Sequence, residues 1–142
     1  MKMKNRFIYN FFSDDDFLRI SNQIKKSEQN TSGEIRISIK EKRSLLEFKK
    51  DVRELAEKEF KKLGMTGTRD KTGILLFLLL GERKVDQDTW DKVRDEIQNN
   101  FREGKFSSGI IKGIERVGII LSEHFPIRKD DTNELSNKVI LD

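Results

Sequence analysis

A chain of 142 residues, 35% hydrophobic and 38% charged, fits one folded domain whose core is gathered into a few apolar stripes. Its 29 basic and 25 acidic residues leave a formal charge of +4, yet they interleave, as in Lys49-Lys50-Asp51 and Glu57-Lys58-Glu59. That pattern reads as solvated helix faces and speaks against a nucleic-acid partner, while the lack of cysteine excludes disulfides, thiolate nucleophiles and Cys-ligated zinc.

The first dozen residues set Lys2, Lys4 and Arg6 among Phe7, Ile8, Tyr9, Phe11 and Phe12. They read as an arm, residues 1–12, whose aromatics cover an edge of the core. No apolar run with a small-residue cleavage site follows them, and no stretch approaches the roughly 20 apolar residues that a membrane span needs. The expectation is a soluble, cytoplasmic protein without membrane insertion.

Ser13 is placed to cap a helix, with Asp14, Asp15 and Asp16 at the positive end of the helix dipole. Phe17, Ile20 and Ile24 recur at helical spacing, and the helix ends near Gln29-Asn30. Thr31-Ser32-Gly33 is a turn into a strand, Glu34–Lys40, in which Ile35, Ile37 and Ile39 alternate with polar residues. Such a strand is expected toward a sheet edge or along a polar site. Leu45 to Leu63 reads as the longest helix, with Leu45, Phe48, Val52, Leu55, Ala56, Phe60 and Leu63 as its buried stripe and Gly64 as its stop. A polar loop, residues 65–72, leads to the stretch around which the chain is organised, Gly73–Gly81. Its seven consecutive apolar residues, Ile74 to Leu80, do not alternate, so both faces of this central strand are expected beneath helices.

Asp86 or Asp88 then reads as the cap of a third helix burying Trp90, Val93, Ile97 and Phe101, which Gly104 ends. A fourth helix, Ser107 to His124, buries Ile110, Ile114, Val117 and Leu121. Gly109 and Gly113 are spaced to admit a neighbouring element, and Pro126 closes the helix. The tail, residues 127–142, has no assigned place, so the domain is read as residues 13–126. The class is a layered α/β fold.

One histidine and no cysteine leave no Ser-His-Asp or Cys-His arrangement, because His124 reads as a structural residue at a helix end. No phosphate-binding glycine loop or dinucleotide fingerprint is present. Oxygen chemistry remains. If the two strands joined by the Leu45–Leu63 crossover are parallel, as handedness makes the default, then Ser32, Glu34, Thr68 and Asp70 meet at one rim of the sheet. Carboxylates and hydroxyls without imidazole suit a hard cation, Ca²⁺ or Mg²⁺. The same residues equally suit ordinary turn and cap chemistry, and spacing does not choose between the two.

The order of features now resembles a known family. Ser13-Asp14-Asp15, Thr31-Ser32-Gly33-Glu34-Ile35-Arg36, Leu63-Gly64-Met65, Thr68 and Gly73-Ile74-Leu75-Leu76 come first. Trp90, Phe101 with Gly104-Lys105-Phe106, Gly109-Ile110, Gly113-Ile114 and His124-Phe125-Pro126 complete it. The series resembles the TPM domain, in its compact, soluble, bacterial single-domain form. The resemblance implies a three-layer α/β/α sandwich with a mainly parallel central sheet flanked by helices on both faces. It also implies binding of a divalent cation, Ca²⁺ or Mg²⁺, and acid-phosphatase-like hydrolysis of phosphomonoesters. The matching rim residues are Ser32, Gly33, Glu34, Thr68 and Asp70. The expected metal ligands are therefore Glu34, Asp70, Ser32 and Thr68, with Asp86 and Asp88 as further candidates. No catalytic side chain is singled out.

One departure stands out. In the family a returning strand and an Asp-bearing turn follow the central strand; here Arg83-Lys84 joins Val85-Asp86 directly, and both the strand and its aspartate are expected to be absent. The alternative function is a non-catalytic interaction or regulatory module in protein assembly or quality control. The expected partner is a phosphomonoester or a protein, and the expected state is a monomer.

Overall fold

The central strand is buried on both faces because its side chains alternate between two apolar clusters. Ile74, Leu76, Leu78 and Leu80 join Ile35, Ile37 and Ile39 beneath Ile20, Ile24, Val93, Ile97, Ile110 and their helical neighbours. Leu75, Phe77 and Leu79 point the other way and pack with Leu55, Ala56 and Met65. The computed structural model describes residues 7–65, 73–86, 90–127 and 140–141. Among these the chain forms a mixed α/β fold with four helices, α1 (Asp14–Glu28), α2 (Val52–Lys62), α3 (Asp91–Arg102) and α4 (Phe106–His124). The four strands are β1 (Glu34–Lys40), β2 (Gly73–Leu79), β3 (Lys84–Asp86) and β4 (Ile140–Leu141), in the sheet order β3-β2-β1-β4.

Strands β1 and β2 are parallel, with Glu34 opposite Gly73 and Lys40 opposite Leu79. Strand β4 also runs parallel to β1, whereas β3 is antiparallel to β2, with Asp86 opposite Phe77. The sheet is therefore mixed, with two parallel strand pairs and one antiparallel pair among the described residues. The return strand that the sequence did not reveal is present in three residues. Its tight reversal uses the 3-10 turn Leu80–Glu82 and Arg83 in the left-handed region at φ 52°. Gln98 of α3 holds the short strand by accepting from Val85 N–H at 3.1 Å and donating to the Arg83 carbonyl.

Strand β1 is interior, between β2 and β4, and α2 covers the polar side of its alternation, so Ser38 is fully buried. Two further expectations are corrected. The long helix is broken into a 3-10 turn at Leu45–Glu47 and the shorter α2. Asp51 caps α2 by accepting from Glu54 N–H at 2.9 Å, and a side chain that closes a helix start ends the preceding turn. Leu45 and Phe48 consequently leave the buried stripe. At α3 the N-cap position is held by Trp90 without a side-chain cap, because Asp86 belongs to β3; Asp88 lies outside the described residues.

The other helices follow the sequence closely. Ser13 caps α1 in a reciprocal capping box with Asp16, and Ile20 and Ile24 are fully buried. Helix α4 approaches its neighbours closely at glycines. A Cβ on Gly109 or Gly113 would stand 2.7 or 2.4 Å from side-chain atoms of Asn100 or Ile97 in α3. At the amino terminus Ile8 and Phe12 are buried in the main core, and Phe11 packs edge-on against Phe106 at 4.8 Å.

Candidate functional site

The Thr31-Ser32-Gly33 turn fixes the start of β1 to the end of α4. The Thr31 hydroxyl accepts from Gly33 N–H at 3.0 Å and donates to the Leu121 carbonyl at 3.1 Å. Ser32 N–H donates to the Phe125 carbonyl at 2.9 Å, and the Ser32 hydroxyl lies 3.4 Å from the same oxygen. The Phe125 carbonyl at the end of α4 thereby gains a donor, and the Leu121 carbonyl takes a second one beside Phe125 N–H. The Ser32 side chain thus faces the helix end, and the turn role proposed for these residues is visible directly.

Glu34 follows as the first residue of β1, 6% exposed and directly opposite Gly73. This register sets the carboxylate at the rim where β2 begins. Thr68, Asp70 and Asp88 lie outside the described residues. Asp86 is described and is far from this rim. It is two strands over from Glu34 and four residues along β2, so the two Cα atoms stand about 16 Å apart. No single cation with oxygen ligands at about 2.3–2.6 Å takes both carboxylates. Asp86 instead faces Arg53 Nη2 at 3.5 Å. Among the described residues no three His, Cys, Asp or Glu side chains converge as a metal-binding group.

Between these two positions lies a polar layer, so β1 takes the second of its two expected places, along a polar site rather than at a sheet edge. Glu34, Arg36, Ser38 and Lys40 share the side of β1 that α2 covers. Ser38 Oγ donates to Glu59 Oε2 at 2.6 Å, with both residues buried. Glu47 is buried as well, and accepts from Ser44 N–H at 2.9 Å while facing Lys40 at 3.5 Å and Lys58 at 3.4 Å. Its carboxyl is held down at about 2, first by the Ser44 N–H and then by Lys40 and Lys58. Beside this layer, a cleft of ≈ 220 Å³ opens between α2 and the β3 edge, lined by Ala56, Glu57, Phe60, Lys61, Leu75 and Asp86.

Glu59 had looked like part of a solvated face in Glu57-Lys58-Glu59. The signal against that was available: Glu59 is four residues after Leu55 and three after Ala56, inside the apolar stripe of α2. Ser44-x-x-Glu47 likewise carries the capping-box pattern.

The TPM domain model matches residues 9–119 of the chain. The chain belongs to the TPM domain family. A solved structure of similar fold is the NMR structure of the BA42 protein from the psychrophilic bacterium Bizionia argentinensis, which is 30% identical. The likeness covers 93% of this chain and 96% of that one, with a TM-score of 0.80. No functionally curated protein matches the sequence. Among the described residues this TPM domain has no helix long and apolar enough to cross a membrane.

Proposed function

We propose that this TPM domain binds a divalent cation, Ca²⁺ or Mg²⁺, at the rim where β1 and β2 begin. Glu34 and Asp70 would supply carboxylates, and Thr68 and Ser32 hydroxyls. The observation that supports it is the parallel pairing of Glu34 with Gly73. The chain between Asp70 and Gly73 spans at most about 10 Å, so covalent connection limits how far Asp70 can stray from Glu34. The donor set is all oxygen, which fits a hard cation. Asp86 falls outside the set because of its distance and its pairing with Arg53.

A bound cation supplies Lewis acidity toward a phosphoryl oxygen and lowers the pKa of a bound water, the chemistry that phosphomonoester hydrolysis requires. The chain's own part is to hold that charge with Glu34 on a strand buried on both faces. We read the division of helices, α2 on one side of the sheet and α1, α3 and α4 on the other, as the three-layer sandwich of the family. The protein is read as a cytoplasmic monomer.

The second reading, a non-catalytic module docking through the same rim, draws support from Ser32 and Asp86. Both serve the fold, through the Phe125 carbonyl and Arg53. Hydrolysis of p-nitrophenyl phosphate with and without Ca²⁺ or Mg²⁺ separates the readings. Metal-dependent turnover lost in both Glu34→Gln and Asp70→Asn supports the hydrolase. Cation binding without turnover supports the module.

A further inference from the structure

The segment between β1 and α2 emerges at the rim opposite Glu34 and carries the most exposed large apolar side chains described. Leu45 is 95% exposed, Leu46 92% and Phe48 78%. Exposed apolar residues on a loose loop would fold back and cover themselves. Here the base of the segment is fixed. Ser44 and Glu47 close a capping box around the 3-10 turn, and buried Glu47 is ion-paired to Lys40 and Lys58. Arg43 donates to the carbonyls of Glu47 and Lys50 and ion-pairs with Glu82. The polar base holds the three apolar side chains away from the core.

Lys42, Lys49 and Lys50 flank this tip, are exposed, and make no ion pair with the described residues. Nearby acids are mostly committed elsewhere: Glu47 and Glu82 to cations, Asp51 to the start of α2. Glu41 offsets one of the three lysines. The result is a small apolar wedge within a cationic collar.

We propose that this tip inserts shallowly into an anionic lipid surface, with Leu45, Leu46 and Phe48 in the headgroup–acyl boundary and Lys42, Lys49 and Lys50 against lipid phosphates. Two features favour a bilayer over a protein. Three side chains fall short of the ≈ 800 Å² per partner that a stable protein interface buries. A fluid surface, in contrast, needs no shape complement and rewards an apolar tip ringed by lysine. The contact is peripheral and reversible, and it is independent of the cation rim at the other end of β1.

Co-sedimentation of the full chain with phosphatidylcholine vesicles, with and without phosphatidylglycerol, tests the proposal. The protein is expected to sediment with the phosphatidylglycerol vesicles and to stay in solution with phosphatidylcholine alone. Leu45→Ser/Leu46→Ser/Phe48→Ser should weaken partitioning by about tenfold or more. Lys42→Gln/Lys49→Gln/Lys50→Gln should do so to a similar extent, about tenfold or more. All six side chains are exposed, so the variants should melt like the parent. Failure of the parent chain to sediment with phosphatidylglycerol vesicles overturns the proposal, as does undiminished binding by the triple-serine variant. Self-association lost in that variant, without vesicle binding, assigns the tip to a second copy and also overturns it.

Discussion

Ser38 Oγ and Glu59 Oε2 stand 2.6 Å apart, one on the middle of β1 and one on α2, and neither residue reaches solvent appreciably. The pair joins the sheet to α2, the helix that covers its polar side among the described residues. A buried carboxyl group placed there needs polar partners, here the Ser38 hydroxyl, which donates to Oε2, and Lys62 Nζ, 4.0 Å from Oε1. The α2 face is thus organised by paired polar groups around a small apolar cluster, whereas the opposite face is packed almost wholly with aliphatic and aromatic side chains.

Removing the hydroxyl should therefore cost more than one ordinary hydrogen bond. Ser38→Ala is expected to lower stability by about 1–3 kcal/mol, because Glu59 is left buried without its closest donor. Adding Glu59→Leu should recover part of the loss by removing the buried polar group left without its partner. Urea denaturation of the single and double variants gives the comparison.

Glu47 predicts a pH dependence. Its carboxyl sits at about 2 in the fold, below an ordinary value of 4.5. The folded pKa is the lower one, so its contribution is fully present above about pH 4.5 and is lost as pH falls toward 2. Its size at neutral pH is on the order of 2 kcal/mol after allowing for solvent screening near the surface. Glu47→Gln should be less stable than the parent at pH 7 and should show a shallower acid loss across that window, measured by denaturation at each pH.

The helix contacts on the other face predict a ranking of glycine substitutions. A Cβ on Gly118 would stand 2.5 Å from Ser27 Cβ and 3.2 Å from its Cα, so α1 itself must move. A Cβ on Gly113 meets Ile97 Cδ1 and Cγ1 at 2.4 and 2.7 Å, side-chain atoms only, so the Ile97 side chain rather than the α3 backbone must give. Gly118→Ala is expected to cost about 1–3 kcal/mol despite alanine's better helix propensity, and Gly113→Ala less. Thermal melts of the two variants check the order.

The aliphatic half of the fold was legible in the sequence. The Ile35-Ile37-Ile39 alternation, the unbroken run from Ile74 to Leu80 and the helical stripes of α1, α3 and α4 all packed as their periods implied, because each period selects one buried face. What failed was local and polar. Asp51 caps a new helix start inside a stripe that looked continuous from Leu45, and a cap outweighs periodicity where the apolar residues have no partner. Strand β3 is too short to give a pattern, and β4 joins the sheet with two residues from a tail that offered no signal. Of the candidate site, only the parallel pairing of β1 with β2, expected from the handedness of the crossover, is seen, with Glu34 opposite Gly73; Thr68 and Asp70 lie outside the described residues. Asp86 was misplaced because its strand was not foreseen.

The central claim is the cation at the β1–β2 rim, and amide NMR spectra recorded during Ca²⁺ and Mg²⁺ titrations test it most directly. Saturable shifts centred on Glu34, Gly73 and the residues between Thr68 and Asp70 are expected. They should be lost in Asp70→Asn and Glu34→Gln variants that retain the dispersed spectrum of the parent. Spectra that do not change with either cation, or shifts that persist unaltered in both folded variants, would contradict the account.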